Sequence, residues 1–301
     1  MDLVIFYSCF SDIADIIKYG KLSELNAESN LVNNSNDLVK EMDLIAHNII
    51  VKSLQQYNNI IGFISEESQS VEFLREPFKN KTNYIMAFDP IDGSKNLLSN
   101  ITVGTIYCLY EYDYINNKLT KIVEAGYCLY GPRVTLVRTH NNKVESFLLN
   151  KNNSFEKEGE LSFSINKEKL YAVNQSNKYS NEINELIKNY RINDYNQRWV
   201  GSMVSDCHQI LSKGGIFMYP SSEKHPSGKL RLLYEVIPFS YIFKIAGGIG
   251  IDANYTPILD KFSIYDLNTL DLHKPIPIIL ASKEEYNKMI SYLDIVDNIF
   301  C

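Results

Sequence analysis

Apolar positions along the chain recur with two periods, and each period marks out a different kind of element. From Leu3 to about Lys18 they fall at helical spacing, which predicts a first helix. A second stripe comprises Leu38, Met42, Ile45, Ala46, Ile49, Ile50 and Leu54, with Asn36 or Asp37 placed to cap it. The other face of that helix carries Lys40, Asp43 and His47. Short apolar runs then predict strands at Ile60–Ile64, Tyr84–Phe88, Thr102–Tyr110, Ile122–Leu129 and Val134–Arg138. The stretch KNNSFEKEGELS (151–162) reads as a solvated loop or a junction between domains, and drift in base composition accounts for it equally well. Beyond it the pattern predicts a helix at Ser202–Leu211, a strand at Ile216–Tyr219, a helix at Leu230–Ala246 and a strand at Pro277–Ala281. Gly247 and Gly248 then read as a helix C-cap, so GGIG is not a dinucleotide loop, which would lie between a strand and a helix. The expectation is a mixed α/β chain of two parts, 1–162 and 163–301.

Composition narrows the class. With 301 residues, 45% hydrophobic and 22% charged, the chain has the makeup of a globular protein with a substantial core. A net charge of −6 argues against a nucleic-acid partner. The five cysteines are scattered without a C-x-x-C pair, which fits a reducing compartment better than a disulfide framework or a zinc site. The opening MDLVIFYSCF has an acid where a signal peptide carries bases, and no apolar run is long enough to span a bilayer. A cytoplasmic protein without a membrane partner is expected.

Candidate chemistry centres on AFDPIDGSKNL (87–97), where two aspartates follow an apolar run. Asp, Pro and Gly all favour turns, and a turn is one reading. The other comes from IIGFISEES (60–68), which repeats the pattern with Glu66 and Glu67 after a strand. Two parallel strands ending in paired acids would place four carboxylates at one sheet edge, an arrangement that needs cations. Oxygen donors without nearby His or Cys suit Mg²⁺ or Mn²⁺ rather than zinc, and ions sharing carboxylates commonly serve phosphoryl chemistry. The segment GGIFMYPSSEKHPSGKLRLLYE (214–235) adds Tyr219, Lys224, Lys229, Arg231 and Glu235. It reads either as a basic loop entering a helix or as a phosphate grip with a fifth carboxylate.

These stretches, with SNDLVKEMD (35–43), VGTIYCLY (103–110), AGYCLYG (125–131), RWVGSMVSD (198–206) and HKPIPIILAS (273–282), make the chain resemble the fructose-1,6-bisphosphatases of the Mg²⁺-dependent sugar-phosphatase superfamily. The motifs run in family order over nearly the whole chain past residue 35. The resemblance implies a layered αβαβα sandwich and two or three Mg²⁺ per site, with Mn²⁺ a substitute. It implies that Glu66, Asp89, Asp92 and Glu235 bind metal with the Ile91 carbonyl, and that Asp37 assists at a further metal position. Glu67 and Asp43 would polarise the attacking water, with Asp89 counted among the catalytic residues. Gly93, Ser94 and Lys95 would receive the 1-phosphate beside Asp92. Asn174, Arg198, Tyr219 and Lys229 would grip the 6-phosphate and sugar, with Trp199, Met203 and Arg231 also counted among the substrate-binding residues. Arg198 matches a residue that reaches into a neighbouring subunit, implying a homotetramer or homodimer. The implied activity is hydrolysis of fructose 1,6-bisphosphate at its 1-phosphate, as in gluconeogenesis. A sedoheptulose-1,7-bisphosphatase or dual enzyme is one alternative, and a catalytically impaired sugar-phosphate sensor is another.

Several positions depart from the family pattern. Trp199 and Asn177 stand where phosphate-binding tyrosines are expected, Lys95 replaces a serine, Leu98 an aspartate and Glu41 a lysine. In the family's AMP site, Asn83 and Glu111 replace a lysine and an arginine, Tyr84 alone survives, and the first family helix has no counterpart. Loss of AMP inhibition is expected.

Overall fold

Ten residues, Asn83–Asp92, form the strand on which the N-terminal half is assembled. The computed structural model describes residues 3–20, 28–32, 38–163, 168–175, 178–261 and 265–300. Across the larger sheet the strands run Phe155–Glu160, Lys143–Leu149, Val134–His140, Lys118–Tyr130, Val103–Asp113, Asn83–Asp92, Ile60–Ser65 and Glu72–Phe73. Tyr265–Asp266 crosses over to pair with Lys118–Tyr130. Every pairing is antiparallel except that of Ile60–Ser65 with Asn83–Asp92, which is parallel and brings their C-terminal ends together.

Strand alternation separates two cores. Met86, Phe88, Tyr107, Leu109, Cys128 and Tyr130 face the helices Val4–Tyr19 and Glu41–Leu54. Ile85, Ala87, Ile106, Cys108, Tyr110 and Tyr127 point the other way, against the helices Met203–Lys213 and Ile237–Ile245. Those helices also meet a second sheet, ordered Asn196–Gln197, Leu170–Ala172, Ile216–Tyr219, Ile278–Ser282 and Gly248–Ile251. Its far face, with Tyr171, Ile216, Met218 and Ile279, is covered by the helices Asn181–Ile192 and Lys283–Phe300. The layers therefore alternate helix, sheet, helix, sheet, helix, as the resemblance implies.

The structure corrects several boundaries. The second helix starts at Glu41, because Leu38–Lys40 pairs as a short strand with Glu28–Val32. Asn36 and Asp37 lie outside the described residues. The stretch 151–162 is not simply a loop, since Phe155–Glu160 forms an edge strand whose mostly exposed polar side chains suppress its apolar signal. The helix expected at 230–246 divides into a strand at Leu230–Arg231, a π-helical turn at Leu232–Val236 and an α-helix at Ile237–Ile245. Pro238 in the first turn of that last helix suits a start, since a proline there removes no intrahelical bond. The apolar periodicity left unmarked the strands Lys143–Leu149 and Gly248–Ile251 and the helices Asn181–Ile192 and Lys283–Phe300. Cys9, Cys108, Cys128 and Cys207 are buried free thiols. No helix among the described residues is long and apolar enough to cross a membrane.

Candidate active site

Asp89 and Asp92 are three residues apart, and in a regular strand they would point to opposite faces. The strand does not end at Pro90. It continues to Asp92 with an irregular register, Asp89 opposite Ile106 and Asp92 opposite Gly104. Three steps on one strand against two on its neighbour constitute a β-bulge, and the extra residue turns both carboxylates to the same side. Proline is tolerated at such a bulge, where no ladder donor is needed. The Pro90 carbonyl accepts a hydrogen bond from Thr105 Oγ1 at 2.7 Å, which fixes the bulge.

The parallel neighbour supplies the next acids. Glu66 N donates to the Phe88 carbonyl at 3.2 Å, and Glu67 N donates to Ser65 Oγ at 3.2 Å. Ser65 Oγ also bonds His47 Nδ1 at 2.9 Å, tying the acidic turn to the helix that carries Asp43. From the far side comes Glu235, held in the π-helical turn, with its Oε2 accepting the Arg231 N–H at 2.5 Å. One oxygen from each of Asp89, Asp92 and Glu235 lies within 4.8 Å of the others. Asp43, Glu66, Glu67 and Ile91 line the same cavity of about 260 Å³.

Such a cluster resists ionisation. Burial raises the carboxyl of Asp89 well above its ordinary range, and Glu66, Asp92 and Glu235 raise it further. Glu235 is pushed up to about 8 by burial and then by Glu66 and Asp92. Glu67 is also pushed to about 8, by burial and the charges of Glu66 and Asp43. Asp92 is raised by burial, but Ser202 Oγ and Val204 N each donate to its Oδ2 at 2.7 Å. Asp92 thereby accepts at the N-terminus of the helix Met203–Lys213, where a negative charge is favoured. Asp89 Oδ1 is buried with no hydrogen-bond partner among the described residues. An orphaned carboxylate oxygen, hard donors and mutual repulsion are what a divalent cation relieves, so these residues fit a metal.

The cavity's other wall is basic and aromatic. Gly93, Ser94, Lys95, Asn174, Trp199, Met203, Tyr219, Lys229 and Arg231 all line it. Gly93 has φ +77°, and a Cβ there would lie 2.5 Å from Ser202 Cβ, so the turn can sit against Ser202 only as glycine. Trp199 is half-buried, its ring stacked on Phe217 at 6.4 Å and tilted against Tyr219 at 6.0 Å. The structure does not bring Arg198 into this cavity: it is exposed, donating to its own neighbour's carbonyl, Gln197 O, at 3.0 Å. Leu98 also lies elsewhere, 49% exposed beside a groove next to the first helix. Asp37 and Asn177 are outside the described residues.

Sequence reasoning missed the supporting residues. Ser202 and Thr105 orient the acids, and Asp206 accepts the N–H groups of Val200 and Gly201 at 2.8 and 3.0 Å, pinning the Trp199 loop. The signal for Ser202 and Asp206 was their place in RWVGSMVSD. The signal for Thr105 was likewise its place in VGTIYCLY.

A pocket that sets clustered acids against cations can hold a metal and a phosphate together, the working parts of a phosphoric monoester hydrolase. Comparison with known proteins narrows that class. Family models for the N-terminal and C-terminal domains of fructose-1-6-bisphosphatase match residues 3–157 and 165–294. The class 1 fructose-1,6-bisphosphatase of Polynucleobacter necessarius subsp. necessarius is 31% identical over 96% of this chain and 88% of that protein. The class 1 enzyme of Persephonella marina is 32% identical over 93% and 88%. A crystal structure of Leishmania major fructose-1,6-bisphosphatase in holo form superposes with a TM-score of 0.83 at 26% identity, covering 97% of this chain and 94% of that one. The chain belongs to the fructose-1,6-bisphosphatase family.

Proposed function

We propose that this enzyme hydrolyses the 1-phosphate of fructose 1,6-bisphosphate using two or three divalent cations, Mg²⁺ by the chemistry of its donors. Asp89, Asp92, Glu235, Glu66 and the Ile91 carbonyl would hold them. The observation that carries this reading is the orphaned oxygen of Asp89 inside a cluster of carboxylates. Bound ions would supply Lewis-acid polarisation and neutralise charge on the transferring phosphoryl group. The chain's own groups do the rest. Glu67 and Asp43 line the pocket and take the proton of the attacking water. Gly93, Ser94 and Lys95 orient the phosphoryl oxygens, and Arg231 offsets their charge. Lys229, Tyr219, Asn174, Met203 and Trp199 receive the sugar and its distal phosphate.

AMP control is absent in this reading. The Asn83 side chain, which replaces the family's lysine, is committed to the Phe78 backbone, accepting from its N–H at 2.8 Å and donating to its carbonyl at 2.9 Å. Glu111 puts a negative charge where a phosphate would lie. The reading includes two subdomains meeting near residue 162, a cytoplasmic gluconeogenic role, and a homo-oligomer whose exposed Arg198 serves a neighbouring site.

The deciding assay is phosphate release from fructose 1,6-bisphosphate with Mg²⁺, with EDTA and with AMP. Turnover that needs Mg²⁺ and ignores AMP is expected. Undiminished turnover in EDTA would remove the metal reading, faster release from sedoheptulose 1,7-bisphosphate would change the substrate, and cooperative AMP inhibition would overturn the regulatory one.

A further inference from the structure

Beside the carboxylate pocket lies a second, more open groove of about 750 Å³. Lys95, Lys229 and Arg231 line both, so they form the divide between the two spaces. The groove adds Lys224, His225 and His273 on its own side, and its one carboxylate is Asp271. Four permanent cations against one acid leave this lining formally positive, although Lys229 and Arg231 also offset Glu66, Asp92 and Glu235 across the divide, on a chain whose net charge is −6. A local field of that sign, opposite to the whole molecule's, selects for anions.

The loop that presents Lys224 is built rather than loose. Ser222 N donates to the His225 carbonyl and His225 N to the Ser222 carbonyl, both at 3.1 Å, and Gly228 N closes onto the His225 carbonyl at 3.0 Å. Gly228 has φ +83°, and a Cβ there would lie 2.2 Å from Pro277 N, so the loop's end is pressed against the neighbouring chain. The loop's acid, Glu223, turns aside to pair with Lys178 at 3.2 Å and does not line the groove. Asp271 is partly engaged as well, its Oδ1 accepting the His273 N–H at 3.0 Å. Arg231 is steadied by donating Nη1 to the Lys229 carbonyl at 3.2 Å.

We propose that this groove is a second phosphate site, in which Lys224 with Lys95, Lys229 and Arg231 holds an orthophosphate dianion outside the carboxylate pocket. The dianion is either the product leaving through the shared divide or free phosphate from the medium. The inference uses the phosphatase activity of the family but not the metal reading.

Orthophosphate itself is the probe. Calorimetric titration of the metal-free enzyme in EDTA and saturating fructose 6-phosphate, at fixed ionic strength in chloride, isolates the groove, because the sugar phosphate fills the distal-phosphate subsite and the acid cluster without metal repels phosphate. Wild type should bind one orthophosphate, and Lys224→Glu should weaken it by about tenfold or more, as expected when a charge-assisted bond is lost and reversed. Lys224 is exposed on the loop, and an unchanged melting curve verifies that the variant folds. Equal affinity in wild type and variant overturns the site, as does phosphate binding that appears only after Mg²⁺ is added. Activity that survives EDTA would refute the metal reading while leaving this titration informative. Initial rates of Lys224→Ala then separate the sources. A lower kcat at unchanged KM identifies the product's route, whereas unchanged rates with weaker orthophosphate inhibition identify free phosphate.

Discussion

Glu124 and Asp89 are buried to the same depth in the same sheet, 4% and 3% exposed, yet their surroundings have little in common. Glu124 Oε1 accepts hydrogen bonds from Tyr7 OH at 2.5 Å and Tyr107 OH at 2.8 Å. Arg138 donates to the Tyr7 hydroxyl at 2.9 Å and pairs with Glu145 at 3.2 Å, so a cation stands just behind. Burial raises Glu124, while the tyrosines and Arg138 lower it. Asp89 meets carboxylates instead of donors, and one of its oxygens meets nothing among the described residues. Burial therefore does not distinguish the two groups. The supply of donors does: Glu124 fastens the first helix to the sheet, and Asp89 is arranged for something the chain does not itself provide.

The largest effect that can test this contrast is on activity. Asp89→Asn should lower hydrolysis by about a thousandfold or more, since it disables a centre contributing several kcal/mol to the barrier. The same substitution should raise the metal-free melting temperature, by roughly 2–4 °C for each kcal/mol of repulsion relieved. Glu124→Ala should do the reverse. Leaving two buried tyrosine hydroxyls without their acceptor, and Arg138 without the charge it stands behind, should destabilise the fold by about 3 kcal/mol, with kcat retained in the folded fraction. Thermal melts and rate assays on the two variants check both halves, and a parallel response in the two proteins would erase the distinction.

Metal and pH sharpen it at smaller scale. Mg²⁺ at a hundred times its Kd should stabilise wild type by about 2.7 kcal/mol, and Asp89→Asn by much less. The raised carboxyls also set a sign. Glu67 and Glu235 reach about 8 in the folded protein from an ordinary 4.5, so between those values the folded state holds more protons than the unfolded one. Their contribution to metal-free stability is thus full below about 4.5 and lost as pH rises through about 8. Denaturant melts in EDTA should show that decline, and saturating Mg²⁺ should flatten it. A metal-free protein whose stability climbs between pH 6 and 8 would mean that the acids are already compensated.

Much of this was legible in the sequence, for reasons that differ by element. The acids stood out because carboxylates directly after apolar strands are conspicuous, and Glu66, Asp89, Asp92 and Glu235 do line one cavity. That convergence depended on parallel pairing, which the repetition alone does not fix and which Ile60–Ser65 and Asn83–Asp92 adopt. The bulge at Pro90 was illegible, because proline after a strand signals a stop unless the neighbouring strand is known to skip a step. The Phe155–Glu160 strand and the helix Asn181–Ile192 escaped notice because their chains are largely polar, and only the layers beneath reveal which side is covered. Glu124 gave no hint at all, since its partners Tyr7 and Tyr107 lie 117 and 17 residues away.

The smallest expected effect concerns Trp199, where the same question of an unmet partner recurs in a milder form. Its ring is packed against Phe217 and Tyr219, as a core residue's would be, yet it also lines the cavity. Among the described residues its indole N–H meets no acceptor, and the loop carrying it is pinned by Asp206 rather than by the indole. A ligand phosphate oxygen reaching that N–H would meet a donor already in place. It is the chain's single tryptophan, so fructose 6-phosphate should change the fluorescence saturably with no background from other indoles. Trp199→Tyr exchanges the ring nitrogen for a hydroxyl that can reach a different point. One hydrogen bond to a charged group is worth roughly 1.5–3 kcal/mol, so a fully formed bond would raise affinity for the distal phosphate by about tenfold to about 150-fold. A gain nearer twofold is expected, because Phe217 and Tyr219 are packed to the width of an indole and a smaller ring leaves part of that contact unfilled. Fluorescence indifferent to saturating fructose 6-phosphate, together with an unaltered KM in the variant, would assign Trp199 to packing alone and leave the distal phosphate to Asn174, Tyr219 and Lys229.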